Sequence, residues 1–270
     1  MAKLREKMWL LGESAGSHHT EQAEHYHLPG VNKMTPIEGC RFYNIPNCCR
    51  CCMQAGPFPP FDSESAELVE CKEVIWSIIG SGGVRRNEAE GGDIDEVIRQ
   101  AKMFPNITGA FLDDFFSERR MGIFTPEMLV RFKEKLNREI GRKIDLWCVY
   151  YEREYLNRDR IKPYLDVCDV ITYWIWKASE MPKLRFYLDH LVEYTPGKRR
   201  IAGCYLWNYG EGKPYTPEEM QFQLDVYLEY IKAGVIEGLM ICSNCCSDIG
   251  LPTVDQMLEW LDKNGDIEVK

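Results

Sequence analysis

Short β-rich segments recur along the chain, and helical patterns fill the intervals between them. The eight segments are Met8–Gly12, Cys40–Ile45, Glu73–Ile79, Ile107–Asp113, Ile144–Tyr151, Asp169–Trp176, Arg200–Trp207 and Ile236–Ser243. Their starts lie roughly 25 to 36 residues apart, which is the length of one strand–helix unit. Most are continuous apolar runs rather than alternating ones, as expected for parallel strands that are buried on both faces.

Helix signals stand in the gaps between these segments. Asp93–Glu96 forms a capping box ahead of an apolar stripe, and Thr125-Pro126 and Thr216-Pro217 are typical helix starts. Gly141 marks the end of the second of these helices. After the first strand the pattern predicts only a short helix, Glu21–Tyr26.

Eight strands that alternate with helices predict a (β/α)8 barrel. The chain has 270 residues, the usual size of one such barrel, so residues 1–270 are assigned to a single domain. A doubly wound open sheet is the alternative fold. It would have a glycine-rich phosphate turn after its first strand, and the segment Gly12–Ser17 lacks the third glycine of that turn.

The charge and hydrophobic composition of the chain bear on whether it binds nucleic acid or a membrane. The formal net charge is −9 and the basic residues form no long run, so the sequence does not favour nucleic-acid binding. No segment approaches the ~20 apolar residues that span a membrane. The N-terminus has too short an apolar stretch for a signal peptide, so we expect a cytoplasmic protein.

The twelve cysteines raise the question of a metal. Four of them, Cys148, Cys168, Cys204 and Cys242, lie in predicted strands and are typical of small core residues. The cluster Cys48–Cys52 contains overlapping CxxC spacings, but it has no second CxxC at the spacing of a zinc ribbon. Adjacent cysteines do not easily serve one tetrahedron. The sequence therefore predicts no metal and no cofactor.

Candidate chemistry is sought where such barrels place it, at the carboxyl ends of the strands. Asp113 and Asp114 end the fourth predicted strand, and Glu152 follows the fifth. Neighbouring strands lie about 4.8 Å apart, so these carboxyl groups are expected to face one pocket. Glycoside hydrolysis uses two carboxyl groups, one neutral and one ionised. Asp113, Asp114 and Glu152 are the predicted catalytic residues, and strand alternation is expected to turn Asp114 away from the pocket.

Aromatic and amide side chains crowd the same strand ends. Aromatic rings stack on the apolar faces of sugars, and their polar edges serve sugar hydroxyls. The expected partner is therefore a carbohydrate. The predicted substrate-binding residues are Glu13, Asn44, Tyr150, Trp174, Trp176, Trp207, Asn208, Tyr209 and Asn244.

The fourth strand, which reads Gly-Ala-Phe-Leu-Asp113-Asp114, resembles the Gly-x-x-x-Asp strand end of bacterial glycoside-hydrolase-like barrels. The sequences of segments 169–176 and 203–209 also resemble strands of that group. Within it, the α-amylase superfamily has a nucleophilic Asp after strand four, an acid/base Glu after strand five and an Asp after strand seven. The resemblance implies the first two roles for Asp113 and Glu152. The sequence departs at the third position, which is Asn208, and lacks the strand-four arginine, which puts the amylase mechanism in doubt.

Three other functions remain open at this point. A Schiff-base aldolase would use Lys177 after the sixth strand, provided that the surrounding tryptophans desolvate the amine. Glu13, His18 and His19 could hold a metal, but adjacent histidines point opposite ways and a polar loop is favoured. A non-catalytic carbohydrate-binding barrel would keep the aromatic residues and use the carboxylates only as hydrogen-bond acceptors.

Overall fold

The structure, a computed structural model, describes residues 2–21, 23–82, 84–86, 88 and 91–270. Eight parallel strands close into a barrel in which each strand pairs with its neighbours in the chain and the last pairs with the first. These strands are β1 (Trp9–Gly12), β2 (Asn47–Arg50), β3 (Glu73–Ser77), β4 (Ile107–Leu112), β5 (Asp145–Tyr151), β6 (Val170–Trp174), β7 (Arg199–Tyr205) and β8 (Gly238–Cys242). The predicted (β/α)8 barrel is confirmed, and the open-sheet alternative is wrong.

Helices connect the strands on the outside of the barrel. They are α1 (Pro36–Tyr43), α2 (Asp62–Glu67), α3 (Ile94–Met103), α4 (Glu118–Ile123), α5 (Pro126–Ile140), α6 (Arg158–Val167), α7 (Leu184–Tyr194), α8 (Pro217–Lys232), α9 (Asn244–Ser247) and α10 (Pro252–Asn264). Thr125 and Thr216 cap α5 and α8 as the sequence predicts, because each side-chain oxygen accepts a backbone N–H of the first turn. Helix α3 also begins at the predicted place, although the Asp93 carboxylate pairs with Arg86 instead of capping it.

The second predicted strand, Cys40–Ile45, is wrong. Residues 36–43 form α1, and the strand is the next segment, Asn47–Arg50. Thr35 and Glu38 make a reciprocal capping box with Pro36 at the first helical position, so the local signals of a helix start outweigh the β-like composition that follows. The short helix predicted at Glu21–Tyr26 is reduced to a 3-10 turn, Glu24–Tyr26, and Gln22 lies outside the described residues.

This shift makes the cysteine cluster part of the barrel wall. Cys48 faces outward towards α1, where its thiol contacts Cys40. Cys49 and Cys51 belong to the opposite face, and their Sγ atoms lie 4.0 Å apart. All are buried. Cys48 and Cys49 therefore point to opposite faces of β2, as the period of two in a β-strand requires, and Cys51 and Cys52 lie in the segment that follows the strand.

Glycines make room for indole rings inside the barrel. A Cβ atom on Gly109 would lie 2.8 Å from Nε1 of Trp147, and one on Gly203 would lie 2.0 Å from Cδ2 of Trp174. Trp147 packs edge-on against Trp9 with ring centroids 4.8 Å apart. Trp174 lies above them, so its ring forms part of the floor of the cavity at the carboxyl ends of the strands.

The opposite end of the barrel is covered by the chain termini, where Ala2–Lys3 pairs antiparallel with Glu268–Val269. Among the described residues, no helix combines the length and the apolar character needed to cross a membrane.

Candidate active site

A narrow cavity of about 40 Å³ opens at the carboxyl ends of the strands. The structure brings six of the predicted residues to its wall. These are Glu13, Asp113, Asp114, Trp174, Trp176 and Tyr209. The remaining lining residues, which the prediction did not include, are Leu11, His18, Tyr26, Met53, Gly82, Tyr151, Tyr205 and Cys242. The site is therefore acidic at its base and aromatic along one side.

Asp113 follows directly after β4, and its carboxyl group faces the cavity. The side chain is only 8% exposed. Burial first, and then the negative charge of the neighbouring Asp114, raise the pKa of Asp113 to about 8. Hydrogen bonding to Ser81 and the nearby Arg120 guanidinium oppose this rise without cancelling it. At neutral pH Asp113 is therefore a neutral acid, able to donate a proton into the cavity.

Asp114 also faces the cavity, which strand alternation did not predict. Its backbone is left-handed, with φ of 46°, so the chain turns at this residue instead of continuing as a strand. The hydroxyl of Tyr151 donates to Asp114 Oδ1 at 2.7 Å. The backbone N–H of Asp114 donates to Asp113 Oδ1 at 3.0 Å. The turn thus places two adjacent carboxyl groups in one cavity and gives each a different set of partners.

The buried side chain of Arg120 holds this turn in place. Its Nη1 donates to the carbonyl oxygens of Asp113 and Asp114, and its Nη2 donates to three carbonyl oxygens that follow β3. Its Nε donates to Glu88 Oε1 at 3.0 Å. All five donors of one guanidinium are engaged in a fixed fork, which rigidly joins the loops after β3 and β4. The sequence offered no signal for Arg120, because its partners are mostly backbone atoms.

Glu152 is buried after β5, but it does not line the cavity. Its Oε2 accepts the backbone N–H of Trp176 at 2.8 Å. Burial raises the pKa of Glu152, and this hydrogen bond partly offsets the rise. The carboxyl group therefore positions the segment that carries Trp176 and is turned away from the pocket in which the sequence placed it.

Aromatic rings form the wall that adjoins the acidic turn. Trp176 and Tyr209 are nearly parallel, with centroids 6.0 Å apart and an interplanar angle of 19°. Tyr205 packs edge-on against Tyr209 at 5.1 Å, and Tyr151 packs edge-on against Trp176 at 6.0 Å. These rings come from β5, β6 and β7 and from the loops that follow them. They give the cavity an aromatic wall beside the two carboxyl groups.

The remaining predicted binding residues lie behind the cavity wall or away from it. Tyr150 points out of the barrel and packs against Phe116. The indole N–H of Trp207 donates to the carbonyl of Tyr26, and the amide of Asn208 bridges to Glu211. These contacts support the loops that carry lining residues.

Asn44 and Asn244 were both predicted to bind substrate, and the structure places them in different parts of the barrel. Asn44 is exposed at the end of α1, next to Arg5 and at the opposite end of the barrel, because the second strand was misplaced. Asn244 is buried, and its amide accepts from the N–H of Glu13 and donates to the carbonyl of Glu13. Asn244 therefore fixes the backbone of a lining residue.

Glu13 and His18 form a buried ion pair at the side of the cavity. Glu13 Oε2 and His18 Nε2 are 2.8 Å apart. Burial alone would lower the pKa of His18, but the Glu13 carboxylate outweighs it and raises the pKa to about 10. Burial alone would raise the pKa of Glu13. The positively charged His18 ring outweighs burial, so the pKa of Glu13 is lowered. Each group keeps the other charged.

A wider cleft of about 610 Å³ extends the cavity towards solvent. It shares Tyr26, Asp114 and Trp176 with the cavity, and Arg153 stands at its edge with its guanidinium 4.3 Å from the centre of the Tyr151 ring. Lys177 lines neither space and is exposed. It therefore lacks the desolvation that a Schiff-base lysine needs.

Comparison with known proteins gives structural likeness only. Neither a protein-family model nor a curated protein sequence matches the chain. The spore cortex-lytic enzyme SleL of Bacillus megaterium superposes with a TM-score of 0.59 at 10% identity, covering 99% of this chain and 76% of that one. A family 18 N-acetylglucosaminidase from Paenibacillus barengoltzii gives 0.55 at 11%, covering 94% and 99%. The family 113 β-mannanase AaManA of Alicyclobacillus acidocaldarius gives 0.52 at 10%, covering 97% and 98%. The likeness shows that the chain shares the fold of these enzymes.

Proposed function

We propose that the protein hydrolyses a glycosidic bond where this cavity meets the wider cleft, with Asp113 as the acid and Asp114 as the charged carboxylate. The observation that carries the proposal is the pair itself. Two adjacent carboxyl groups face one aromatic-lined cavity, and burial beside Asp114 raises the pKa of Asp113 to about 8. Carboxyl groups whose environments separate their protonation states are what glycoside hydrolysis requires.

The proposed reaction moves one proton out and back. Asp113 gives its proton to the glycosidic oxygen as the bond from that oxygen to the anomeric carbon breaks. The leaving group departs as a neutral alcohol. Asp114, held by the Tyr151 hydroxyl, stabilises the positive charge that develops on the ring. Asp113, now a carboxylate, takes a proton from the water that bonds to the anomeric carbon. One water is consumed, and Asp113 ends in its starting state.

The aromatic wall supplies the binding part of the proposal. Trp176 and Tyr209 present nearly parallel rings at the side of the cavity. Such rings bury the C–H faces of a pyranose, while the surrounding hydroxyl and carboxyl groups bind its polar edge. Structural similarity to glycoside hydrolases is consistent with this reaction, and the carboxyl pair is a feature of this chain itself.

The test is a panel of aryl glycosides and oligosaccharides. We expect the parent protein to cleave at least one, and Asp113→Asn to lower kcat/KM by about 10²–10⁴-fold, the usual contribution of a general acid. Glu152→Gln is the matched control, because it changes a buried carboxyl group of a neighbouring strand that does not line the cavity. Equal losses in both variants would refute the assignment. Binding of oligosaccharides without turnover would favour a carbohydrate-binding barrel.

A further inference from the structure

Three potential metal ligands converge beside the cavity. Glu13 follows β1, His18 lies in the same loop, and Cys245 follows β8, which is the barrel neighbour of β1. One ligand atom from each residue lies within 4.8 Å of those of the other two. Glu13 is 4% exposed, His18 3% and Cys245 1%. Two loops distant in sequence thus bring a carboxylate oxygen, an imidazole nitrogen and a sulfur to one point.

We propose that Glu13, His18 and Cys245 bind one divalent cation of the zinc class. Carboxylate, imidazole and thiolate are the three ligand types that zinc accepts, and a set with sulfur and nitrogen excludes magnesium and calcium as preferred ions. Zinc bonds of about 2.0–2.1 Å in a tetrahedron place neighbouring N and O ligands about 3.3 Å apart. The ion would replace the proton that His18 Nε2 shares with Glu13 Oε2 and the proton of the Cys245 thiol, and the 2.8 Å between Oε2 and Nε2 would open by about half an ångström.

The groups behind these ligands are arranged as supports. His18 directs its other ring nitrogen, Nδ1, towards the Tyr209 hydroxyl at 3.3 Å. The Ser243 hydroxyl donates to Glu13 Oε2 at 3.1 Å, and the Asn244 amide pins the Glu13 backbone on both its N–H and its carbonyl. Outer partners of this kind fix the orientation of metal ligands and are part of a functioning site.

The position of the site leaves one side of the ion accessible. Glu13 and His18 line the cavity, whereas Cys245 lies behind them. Three protein ligands with a fourth position open to a cavity is the arrangement of zinc sites that also hold water or a substrate oxygen. The inferred ion would therefore join the loops after β1 and β8 and present its open position to the cavity that contains Asp113.

From the sequence alone, the third candidate ligand beside Glu13 and His18 is His19, and a polar loop is favoured over a metal site. No described contact brings His19 to the other two residues. Cys245 lies 227 positions further along the chain than His18. Only closure of the barrel between β8 and β1 makes them neighbours.

Cobalt provides a spectroscopic test that needs no substrate. The protein is freed of metal with a chelator and titrated with Co²⁺. We expect one ion per chain and a thiolate-to-cobalt charge-transfer band in the near ultraviolet. Cys245→Ser should abolish that band and weaken Zn²⁺ binding by at least about 100-fold, since a lost ligand costs no less than a lost outer partner.

Cys246→Ala is the matched control. Its thiol is the next along the chain. It contacts the Tyr209 hydroxyl at 3.0 Å and the His18 ring, but it is not one of the three converging ligands. This variant should keep the charge-transfer band, and loss of the band would overturn the ligand assignment. Zn²⁺ should raise the Tm of the parent and of Cys246→Ala, but not of Cys245→Ser. A parent protein that shows neither stoichiometric Co²⁺ binding nor a Tm shift has no metal here, whatever its activity on glycosides.

Discussion

The ends of β4 and β5 carry buried carboxyl groups in contrasting situations. Asp113 and Glu152 both follow a buried strand at the same end of the barrel, and burial raises the pKa of each. Asp113 faces the cavity and has a second carboxylate beside it. Glu152 turns towards the loop after β6, where one of its oxygens accepts a backbone N–H. Both carboxyl groups are buried. They differ in the direction in which they point and in the groups that contact them.

This difference shows why position at a strand end does not by itself make a residue catalytic. A proton can reach a substrate only from a group that faces the space where the substrate sits. The left-handed turn at Asp114, held by Arg120, points both aspartates into the cavity. No such turn follows β5, and the chain runs on into the 3-10 segment Glu152–Asn157.

The strongest test of the contrast varies the leaving group of the substrate. In Asp113→Asn the rate on a glycoside with a poor leaving group should fall about 10²–10⁴-fold, because no acid remains to protonate the departing oxygen. A nitrophenolate needs little protonation, so the loss on that substrate should be much smaller. Glu152→Gln should show no such dependence. Steady-state kcat/KM on both substrates provides the measurement, and an equal loss on both would argue against the acid role of Asp113.

The second test concerns pH. The reaction needs protonated Asp113, so kcat/KM should fall as the pH rises through the Asp113 pKa of about 8. The charge of Asp114 is one cause of the raised pKa, so Asp114→Asn should lower it. That variant should keep some activity, and its kcat/KM should therefore fall at a pH that is lower by about one to three units. A fall that stays at the same pH would show that Asp114 does not act on Asp113.

The smallest expected effect is at Glu152. In Glu152→Gln the amide oxygen can still accept the N–H of Trp176, and no buried charge is created, so the free energy of unfolding should change by no more than about 1 kcal/mol. Glu152→Ala removes the acceptor and should cost about 1–3 kcal/mol. Urea denaturation of both variants measures this. A larger loss in the Gln variant than in the Ala variant would contradict the positioning role.

Most of the fold could be predicted because its signals are local. Seven of the eight strands overlap their predicted segments, and the caps at Thr125 and Thr216 lie where the sequence puts them. The wrong prediction of a strand at Cys40–Ile45 has a local cause too, since the Thr35–Glu38 capping box starts a helix there. The polar and cysteine-rich strand Asn47–Arg50 has little of the Val and Ile enrichment that marks the other strands.

The site could be predicted only to the level of strand ends. Six of the predicted residues line the cavity, because the barrel places its strand ends there. The choice between Tyr150 and Tyr151 depends on which alternate residues of β5 face inward, and a one-residue error turns the side chain outward. The turn at Asp114 and the long-range contacts of Arg120 and Cys245 arise from tertiary packing that no local pattern records.

The central claim is that Asp113 is protonated at neutral pH, and its titration can be measured without a known substrate. Carboxyl carbons of ¹³C-labelled aspartate are followed by NMR from pH 3 to 10 in the parent and in Asp113→Asn. We predict one resonance that titrates near pH 8 in the parent and is missing from the variant. An Asp113 resonance that titrates near the ordinary aspartate value of about 4 would contradict the account.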